Sequence, residues 1–445
     1  MSLTLRYESG TVRLQGTVPD GLPGVEADAR SKSSRAPAYQ YAALRRALDE
    51  RGVEYTDDVL SLAALSLSTT YDLRGYQQTA LAAWRDAGER GCLELPTGSG
   101  KTVIGIAAMV ALETPALVVV PTIDLLDQWQ RELDREFDLP IGRLGGGEQR
   151  LEAVTVATYD SAYLRADEIG DRFGLVVFDE VHHLGGEGYR DIARLLAAPA
   201  RLGLTATFER PDGAHELIEA LVGPVVHRVA VDDLAGEHLA DYDIKRIEVS
   251  LTPAERERYE AAQSTFTDYL VQSGIRMESG SDYQDLVKRS GTDPRAREAL
   301  LAKQRAREVM MNAERKVDRL ATILDRHRDD RIIVFTAYTD LVYRLSERFL
   351  IPAITHETGA SERREILQRF REGDYSRIVT ANVLDEGVDV PDANVAVVLS
   401  GSGSEREFTQ RLGRILRPTP DGSRALLYEL VTAETAEENV AARRR

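Results

Sequence analysis

A single cysteine, Cys92, stands in 445 residues. One thiol excludes a disulfide framework and any metal centre built from several cysteines. Lysine is also scarce, with six against fifty arginines. Aromatic residues make up 6% of the chain, including two tryptophans. No run of about eighteen apolar residues occurs, so no helix is predicted to cross a membrane. The opening Met1-Ser-Leu-Thr-Leu-Arg6 alternates like a strand and lacks a signal-peptide core. A cytoplasmic protein without a membrane partner is the expectation.

What the chain has in excess is acid. Asp and Glu number 73 against 56 Lys and Arg, giving a net charge of −17 and a pI near 5.1. A nucleic-acid binder is expected to be basic. Either the chain binds no nucleic acid, or its acidity is the background of a salt-loaded prokaryotic cytoplasm, as in a salt-adapted archaeon. The motifs below favour the second reading. High salt weakens phosphate contacts steeply, so backbone and aromatic contacts would then carry more of the binding.

The length allows two or three domains. Thr4–Tyr7 and Thr11–Gln15 alternate about Glu8-Ser-Gly10, a hairpin signal, and a helix bearing Leu44 and Leu48 stops at Gly52. Residues 1–65 therefore read as a small α/β unit, in which Tyr39, Tyr41, Arg45 and Arg46 are candidates to stack on and hold DNA. Apolar runs at Ala116–Pro121, Leu151–Thr158, Leu175–Glu180 and Leu202–Thr207, with helical segments between most of them, predict a parallel sheet within 66–235. A second set, Ile332–Thr336, Arg377–Ala381, Val395–Ser400 and Ala425–Val431, predicts another within 236–445. Between them an insert at about 252–320 is polar and helical, with a break at Ser279–Asp282. Its basic run (Arg289, Arg295, Arg297, Lys303, Arg305, Arg307, Arg315, Lys316) reverses the sign of the rest and is a candidate nucleic-acid contact.

Leu95-Pro-Thr-Gly-Ser-Gly-Lys-Thr102 keeps the end of the phosphate-loop pattern but not its first glycine. Gly98 and Gly100 free backbone N–H groups to face an anion, and the helix that follows adds its positive end. Lys101 is expected to reach the β- and γ-phosphates, and Thr102 to ligate Mg²⁺. Upstream, Leu73-Arg-Gly-Tyr-Gln77 offers Gln77, whose amide could hold an adenine edge. Asp179-Glu180 closes an apolar run, placing Asp179 to hold Mg²⁺ through water and Glu180 to polarise an attacking water. Thr205-Ala-Thr207 ends the next strand with hydroxyls able to bond that acidic pair. In Gln410-Arg-Leu-Gly-Arg-Ile-Leu-Arg417, Arg411, Arg414 and Arg417 share one side of a helix, and Arg414 and Arg417 suit a γ-phosphate transition state. Asp385-Glu-Gly-Val-Asp389 places Gly387 and Asp389 near the ribose.

In this order the segments resemble the motif series of superfamily 2 helicases, from about residue 70 to 418. Within that superfamily the chain is most similar to the XPB family, especially its archaeal form. Pro23-Gly-Val25 and Arg35-Ala-Pro-Ala-Tyr39 resemble the damage-recognition domain, and the basic insert resembles the thumb. Arg210-Pro-Asp212 stands where the family has Arg-Glu-Asp, a motif linked to duplex opening, so Pro211 is a departure.

The resemblance implies two RecA-like α/β domains, and ATP held by Arg74, Gln77, Pro96, Thr97, Gly98, Ser99, Gly100, Lys101 and Thr102, with Gly387 and Asp389 beside it. It implies Gln410 with the two arginines in catalysis. DNA contacts are implied at Pro121, Thr122, Gln128, Trp129, Gly146, Thr158, Tyr159 and Thr380, with coupling through Thr205, Thr207, Arg210 and Asp212. The implied activity is that of an ATP-dependent 3′–5′ DNA helicase or translocase in nucleotide excision repair, also linked to transcription, acting as a monomer with a nuclease partner. The alternative is a duplex translocase motor of a restriction or nuclease complex that does not separate strands.

Overall fold

The computed structural model describes residues 3–28, 33–96, 98–186, 188–209, 213–229, 242–277, 280–381, 393–400 and 425–437. The chain divides between Leu234 and Ala235 into a first unit running from residue 1 and a second holding most of the remainder.

The first unit opens with a five-stranded sheet: β1 (Leu3–Glu8), β2 (Thr11–Gln15), β3 (Glu26–Asp28), β4 (Ser33–Pro37) and β5 (Tyr55–Asp58), in the order β3-β4-β2-β1-β5. The predicted hairpin is there, with Ser9 and Gly10 both at positive φ in its turn. Helix α1 (Tyr41–Glu50) buries Tyr41, Leu44 and Leu48 against Leu3, Leu5, Val12 and Leu14. Tyr41 is therefore core, its hydroxyl donating to Asp57 at 2.7 Å. It is not a surface available for stacking on DNA.

This small sheet packs on the larger one that follows. The Tyr7 hydroxyl lies 3.0 Å from both the Asp167 and Leu195 carbonyls. Ala197 joins the small sheet's core. The fit is tight at Gly170, where a Cβ would lie 1.9 Å from the Tyr7 hydroxyl. Gly170→Ala is expected to lower the stability of the first unit by about 1–3 kcal/mol, read by thermal unfolding.

Eight strands make the larger sheet: β6 (Arg90–Glu94), β7 (Ala116–Val120), β8 (Ile141–Gly145), β9 (Glu148–Arg150), β10 (Val154–Thr158), β11 (Leu175–Asp179), β12 (Ala200–Thr205) and β13 (Val225–Arg228). Their order is β13-β6-β12-β11-β7-β10-β8-β9, with every pairing parallel except the β8–β9 hairpin. Both faces are covered, as a parallel sheet requires. Val118 and Val120 point into one core, while Leu117 and Val119 point into the other. The covering helices are α2 (Gly75–Asp86), α3 (Lys101–Leu112), α4 (Ile123–Glu136), α5 (Tyr159–Arg165), α6 (Arg190–Leu195) and α7 (His215–Leu221).

The second unit carries an all-parallel sheet of β14 (Tyr242–Val249), β15 (Ile332–Thr336), β16 (Ala353–Ile354), β17 (Arg377–Ala381), β18 (Val395–Val398) and β19 (Ala425–Thr432), in the order β14-β19-β18-β15-β17-β16. The insert is helical: α8 (Pro253–Ser273), α9 (Gly280–Ser290) and α10 (Pro294–Met311), followed by α11 (Glu314–Arg326). Helix α8 opens with a Thr252–Glu255 capping box and closes at Gly274 in the left-handed region. The helical interruption opens at Gly274 and the next helix, α9, starts at Gly280, so Gly280–Asp282 of the predicted break are already helical, while Ser279 lies outside the described residues. Helices α12 (Thr339–Phe349) and α13 (Ala360–Glu372) complete the described part.

Candidate nucleotide and metal site

Parallel pairing brings the carboxyl ends of β6, β12, β11, β7 and β10 side by side along one edge of the larger sheet, since Glu94 registers with Thr205 and Leu204 with Asp179. Open α/β sheets bind ligands at that edge. The phosphate loop, Thr205, the acidic pair and Thr122 all leave from it.

After β6 the chain turns through buried Leu95 and Pro96 to Gly98 and Gly100, at φ 83° and 79°. A side chain at 100 would fail twice. The φ is left-handed, and a Cβ would lie 2.6 Å from Gln77 Nε2. Ser99 is buried and its hydroxyl donates to the Pro96 carbonyl at 2.7 Å. Lys101 Nζ donates to the carbonyls of Leu95 (3.2 Å) and Pro96 (3.5 Å), which sets the ammonium across the loop at the start of α3. Loop amides, helix terminus and ammonium together form an anion cradle.

Gln77 behaves differently from its expected part. Its Oε1 accepts from the Arg74 N–H at 2.9 Å, and its Nε2 donates to the Ser99 carbonyl at 2.9 Å. The amide thus ties α2 to the phosphate loop, and the Tyr76 hydroxyl donates to the same Ser99 carbonyl. Arg74 itself is exposed. The coil leading into α2 is clamped from α4, where Glu136 accepts from the Thr69 hydroxyl (2.7 Å), the Thr70 N–H (2.6 Å) and the Thr70 hydroxyl (2.9 Å).

Asp179 ends β11, buried, with both oxygens engaged. Oδ1 accepts from the Glu180 N–H at 3.0 Å and Oδ2 from Trp129 Nε1 at 2.8 Å. Burial, and then the adjacent Glu180 charge, push its carboxyl up to about 6, while Lys101 and the two N–H donors hold it down. Glu180 sits at φ 48°, ψ 54°, a left-handed conformation costing a non-glycine residue about 1–3 kcal/mol. Such strain persists where the surrounding fold over-determines a functional position. Its Oε2 is buried without a hydrogen-bond partner among the described residues, 3.5 Å from His182 Nδ1.

The threonines were expected to bond the acidic pair. Instead Thr205 Oγ1 lies 3.1 Å from His182 Nδ1 and donates to the Thr207 carbonyl at 2.8 Å, so it reaches Glu180 only across the imidazole. His182 closes the Asp179-Glu-Val-His182 segment already marked in the sequence, and its place between Thr205 and Glu180, on a 3₁₀ turn (Val181–Gly185), is what the spacing alone did not show. No group of three or more His, Cys, Asp or Glu able to cage a metal occurs among the described residues. A carboxylate, a threonine hydroxyl and an anion cradle do suit Mg²⁺, which prefers hard oxygens, keeps several waters and takes few protein ligands.

Several expected DNA contacts are placed otherwise. Trp129 and Tyr159 are buried in the two cores, so neither ring is free to stack on a base. Trp129 joins Leu125, Leu126 and Leu133 on the buried face of α4, and the Tyr159 hydroxyl donates to the Asp179 carbonyl. Thr158 is buried and caps α5 by accepting from the Ser161 N–H. Thr380 is buried in β17, its hydroxyl without a partner among the described residues. Pro121, Thr122 and Gln128 are half-buried, with Thr122 capping α4. Gly146 is exposed, in a Gly145–Gly147 turn at positive φ throughout.

Of the basic run, the six arginines are exposed, and Lys303 lies over the rings of Phe266 and Tyr283. Lys316 leaves the set. It is buried and donates to Glu437 at 2.8 Å and to the Leu399 carbonyl at 2.6 Å. Thr97, Arg210, Asp212, Gly387, Asp389, Gln410, Arg414 and Arg417 lie outside the described residues.

A phosphate loop and an Asp-Glu strand end on one parallel sheet, with a second parallel sheet downstream, define a P-loop ATPase of the helicase class. Comparison with known proteins narrows it. Residues 5–59 match the Xeroderma pigmentosum group B helicase damage recognition domain, 70–210 the type III restriction enzyme res subunit, and 297–445 the ERCC3/RAD25/XPB C-terminal helicase. The chain is 44% identical to the DNA 3′-5′ translocase XPB2 of Sulfurisphaera tokodaii over 99% of both proteins. It is 31% identical to the DNA 3′-5′ helicase XPB of Mycobacterium tuberculosis, over 84% of this chain and 63% of that one. In fold it resembles the Pyrococcus furiosus Hef helicase domain, with a TM-score of 0.53 and 21% identity, covering 83% of this chain and 97% of that one. The chain belongs to the XPB family of DNA helicases and translocases.

Proposed function

We propose that the chain is a DNA-dependent ATPase that moves 3′ to 5′ along DNA and works in nucleotide excision repair, with a link to transcription. The observation that carries this is the shared sheet edge on which the Gly98–Lys101 cradle and the Asp179–Glu180 pair meet, in a chain of this family. ATP would sit with its phosphates on the amides of the loop and Lys101. Thr102 and Asp179 would hold Mg²⁺, which supplies charge neutralisation between the phosphates. Glu180 would orient a water and take its proton, with His182 steadying the carboxylate and linking it to Thr205. Thr122, Gln128 and the Gly146 turn are the remaining candidates for gripping a DNA backbone on this unit, and the exposed arginines of the insert on the other. Arg414 and Arg417 stand as candidate transition-state arginines by sequence. A nuclease partner, a monomeric state and a salt-rich cytoplasm belong to the same proposal.

The test is phosphate release with single-stranded, duplex and forked DNA in high potassium salt. DNA is expected to stimulate turnover, and Lys101→Ala to abolish it with the fold intact. Full DNA-stimulated activity in that variant would remove the loop from its role. Unwinding of a fork, against displacement of a triplex strand alone, separates a helicase from a translocase that leaves the strands paired.

A further inference from the structure

We propose that Trp129 is a positioning residue for the metal-binding carboxylate of Asp179. The inference rests on reading Asp179 as the Mg²⁺ carboxylate. The indole is fully buried, and its one N–H donates to Asp179 Oδ2 at 2.8 Å. The far edge of the ring is held from the other side. A Cβ on Gly105 of α3 would lie 2.6 Å from Trp129 Cη2, so only glycine there leaves the ring its place. Helix α3 begins with Lys101 and Thr102. The ring is therefore wedged between the helix that carries the phosphate lysine and the strand that carries the acid. With Oδ1 on the Glu180 N–H and Oδ2 on the indole, the carboxylate cannot turn about its Cβ–Cγ bond without losing a donor. A cation is then offered the remaining lone pairs in one fixed direction.

Helix α4 is suited to act as the arm. Thr122 caps one end, and Glu136 at the other clamps the coil that leads to Arg74 and Gln77. At 1.5 Å per residue its fourteen residues span about 21 Å. One rigid element thus sets the metal carboxylate and the entry to α2 together.

The chain's other tryptophan provides a matched control. Trp84 is equally buried and its Nε1 donates to the Arg201 carbonyl at 2.9 Å, on the same sheet but away from Asp179. Mn²⁺ binding is measured by electron paramagnetic resonance on the full chain with ADP, without turnover, alongside thermal unfolding. Trp129→Phe is expected to weaken Mn²⁺ binding about tenfold, while Trp84→Phe leaves it within about twofold. Both variants are expected to melt earlier. Equal weakening in the two variants, or native binding in Trp129→Phe, would overturn the proposal. Asp179→Asn is expected to lose Mn²⁺ binding, and native binding there would overturn the carboxylate reading beneath it. If Trp129→Phe does not fold, Gly105→Ala takes its place, since it displaces the ring with its N–H intact. The same tenfold weakening is expected of it, and native Mn²⁺ binding there would equally sink the proposal.

Discussion

Glu180→Gln is expected to lower DNA-stimulated ATP hydrolysis by roughly 10²–10⁴-fold while leaving nucleotide binding in place. The substitution keeps the shape of the side chain and removes its capacity to accept a proton. Nothing in the phosphate cradle depends on it, because the loop's contacts run through Ser99, Gln77 and Lys101. The backbone strain at φ 48° is unchanged, since glutamine carries the same Cβ. What changes is the proton-accepting carboxylate, whose buried Oε2 has no hydrogen-bond partner among the described residues and lies 3.5 Å from His182 Nδ1. Phosphate release is measured beside equilibrium binding of a fluorescent ATP analogue. Turnover above about a tenth of native, with binding intact, would take Glu180 out of the general-base role.

Arg201→Ala is expected to destabilise the first unit by about 3–5 kcal/mol, read as a lower urea midpoint of its transition. The guanidinium is 1% exposed and pairs with no carboxylate among the described residues. It donates instead to four carbonyls, those of Ala198 (3.2 Å), Ala193 (2.8 Å), Leu221 (2.8 Å) and Leu196 (2.6 Å). Ala193 lies in the last turn of α6, Leu196 caps it, and Leu221 ends α7. Arg201 thus satisfies carbonyls that helix ends leave without partners, and its charge rests on the negative ends of those peptide dipoles. Burial, reinforced by nearby Arg90, lowers its pKa well below the usual arginine value. Removing the side chain takes a donor from all four acceptors, of which, among the described residues, the Leu221 carbonyl alone keeps a second, from Arg90 at 2.9 Å. Arg201→Lys, with three donors, is expected to keep about half of the stability. A midpoint unchanged in Arg201→Ala would refute the capping role.

The contrast between these residues shows what the sequence could disclose. The strands β7, β10, β11, β12, β15, β17, β18 and β19 were visible because they are buried on two faces and read as largely apolar runs, whereas β8, β9, β13, β14 and β16 went unread, β9 and β13 being partly or wholly exposed. The acidic pair was visible because it ends such a run. Arg201 was not, since a charged residue at the start of a strand has no local mark of burial, and its acceptors come from two stretches, 193–198 and the end of α7 at Leu221. Lys316 was hidden in the same way, for its partner Glu437 lies 121 residues on. Trp129 was legible and misassigned. Leu125, Leu126, Trp129 and Leu133 recur at helical spacing, a pattern of a buried face. The motif match drew attention to the ring as a DNA contact and away from the period.

The strand order sets a timetable for synthesis. The five strands of the small sheet are complete once residue 58 has left the ribosome. β6, which feeds the phosphate loop, must wait for its partner β12, which begins 106 residues after β6 ends, and then for β13. At 5–20 residues per second that is roughly 5–20 s in which an apolar strand has no neighbour. Through that interval the folded small sheet stands beside the nascent chain, and its docking sites at Asp167, Gly170 and Leu195 arrive in the last third of the wait. The contact through Tyr7 is then among the last made as the first unit closes, and a ribosome-arrest series should find it protected only in chains that expose residues to about 228.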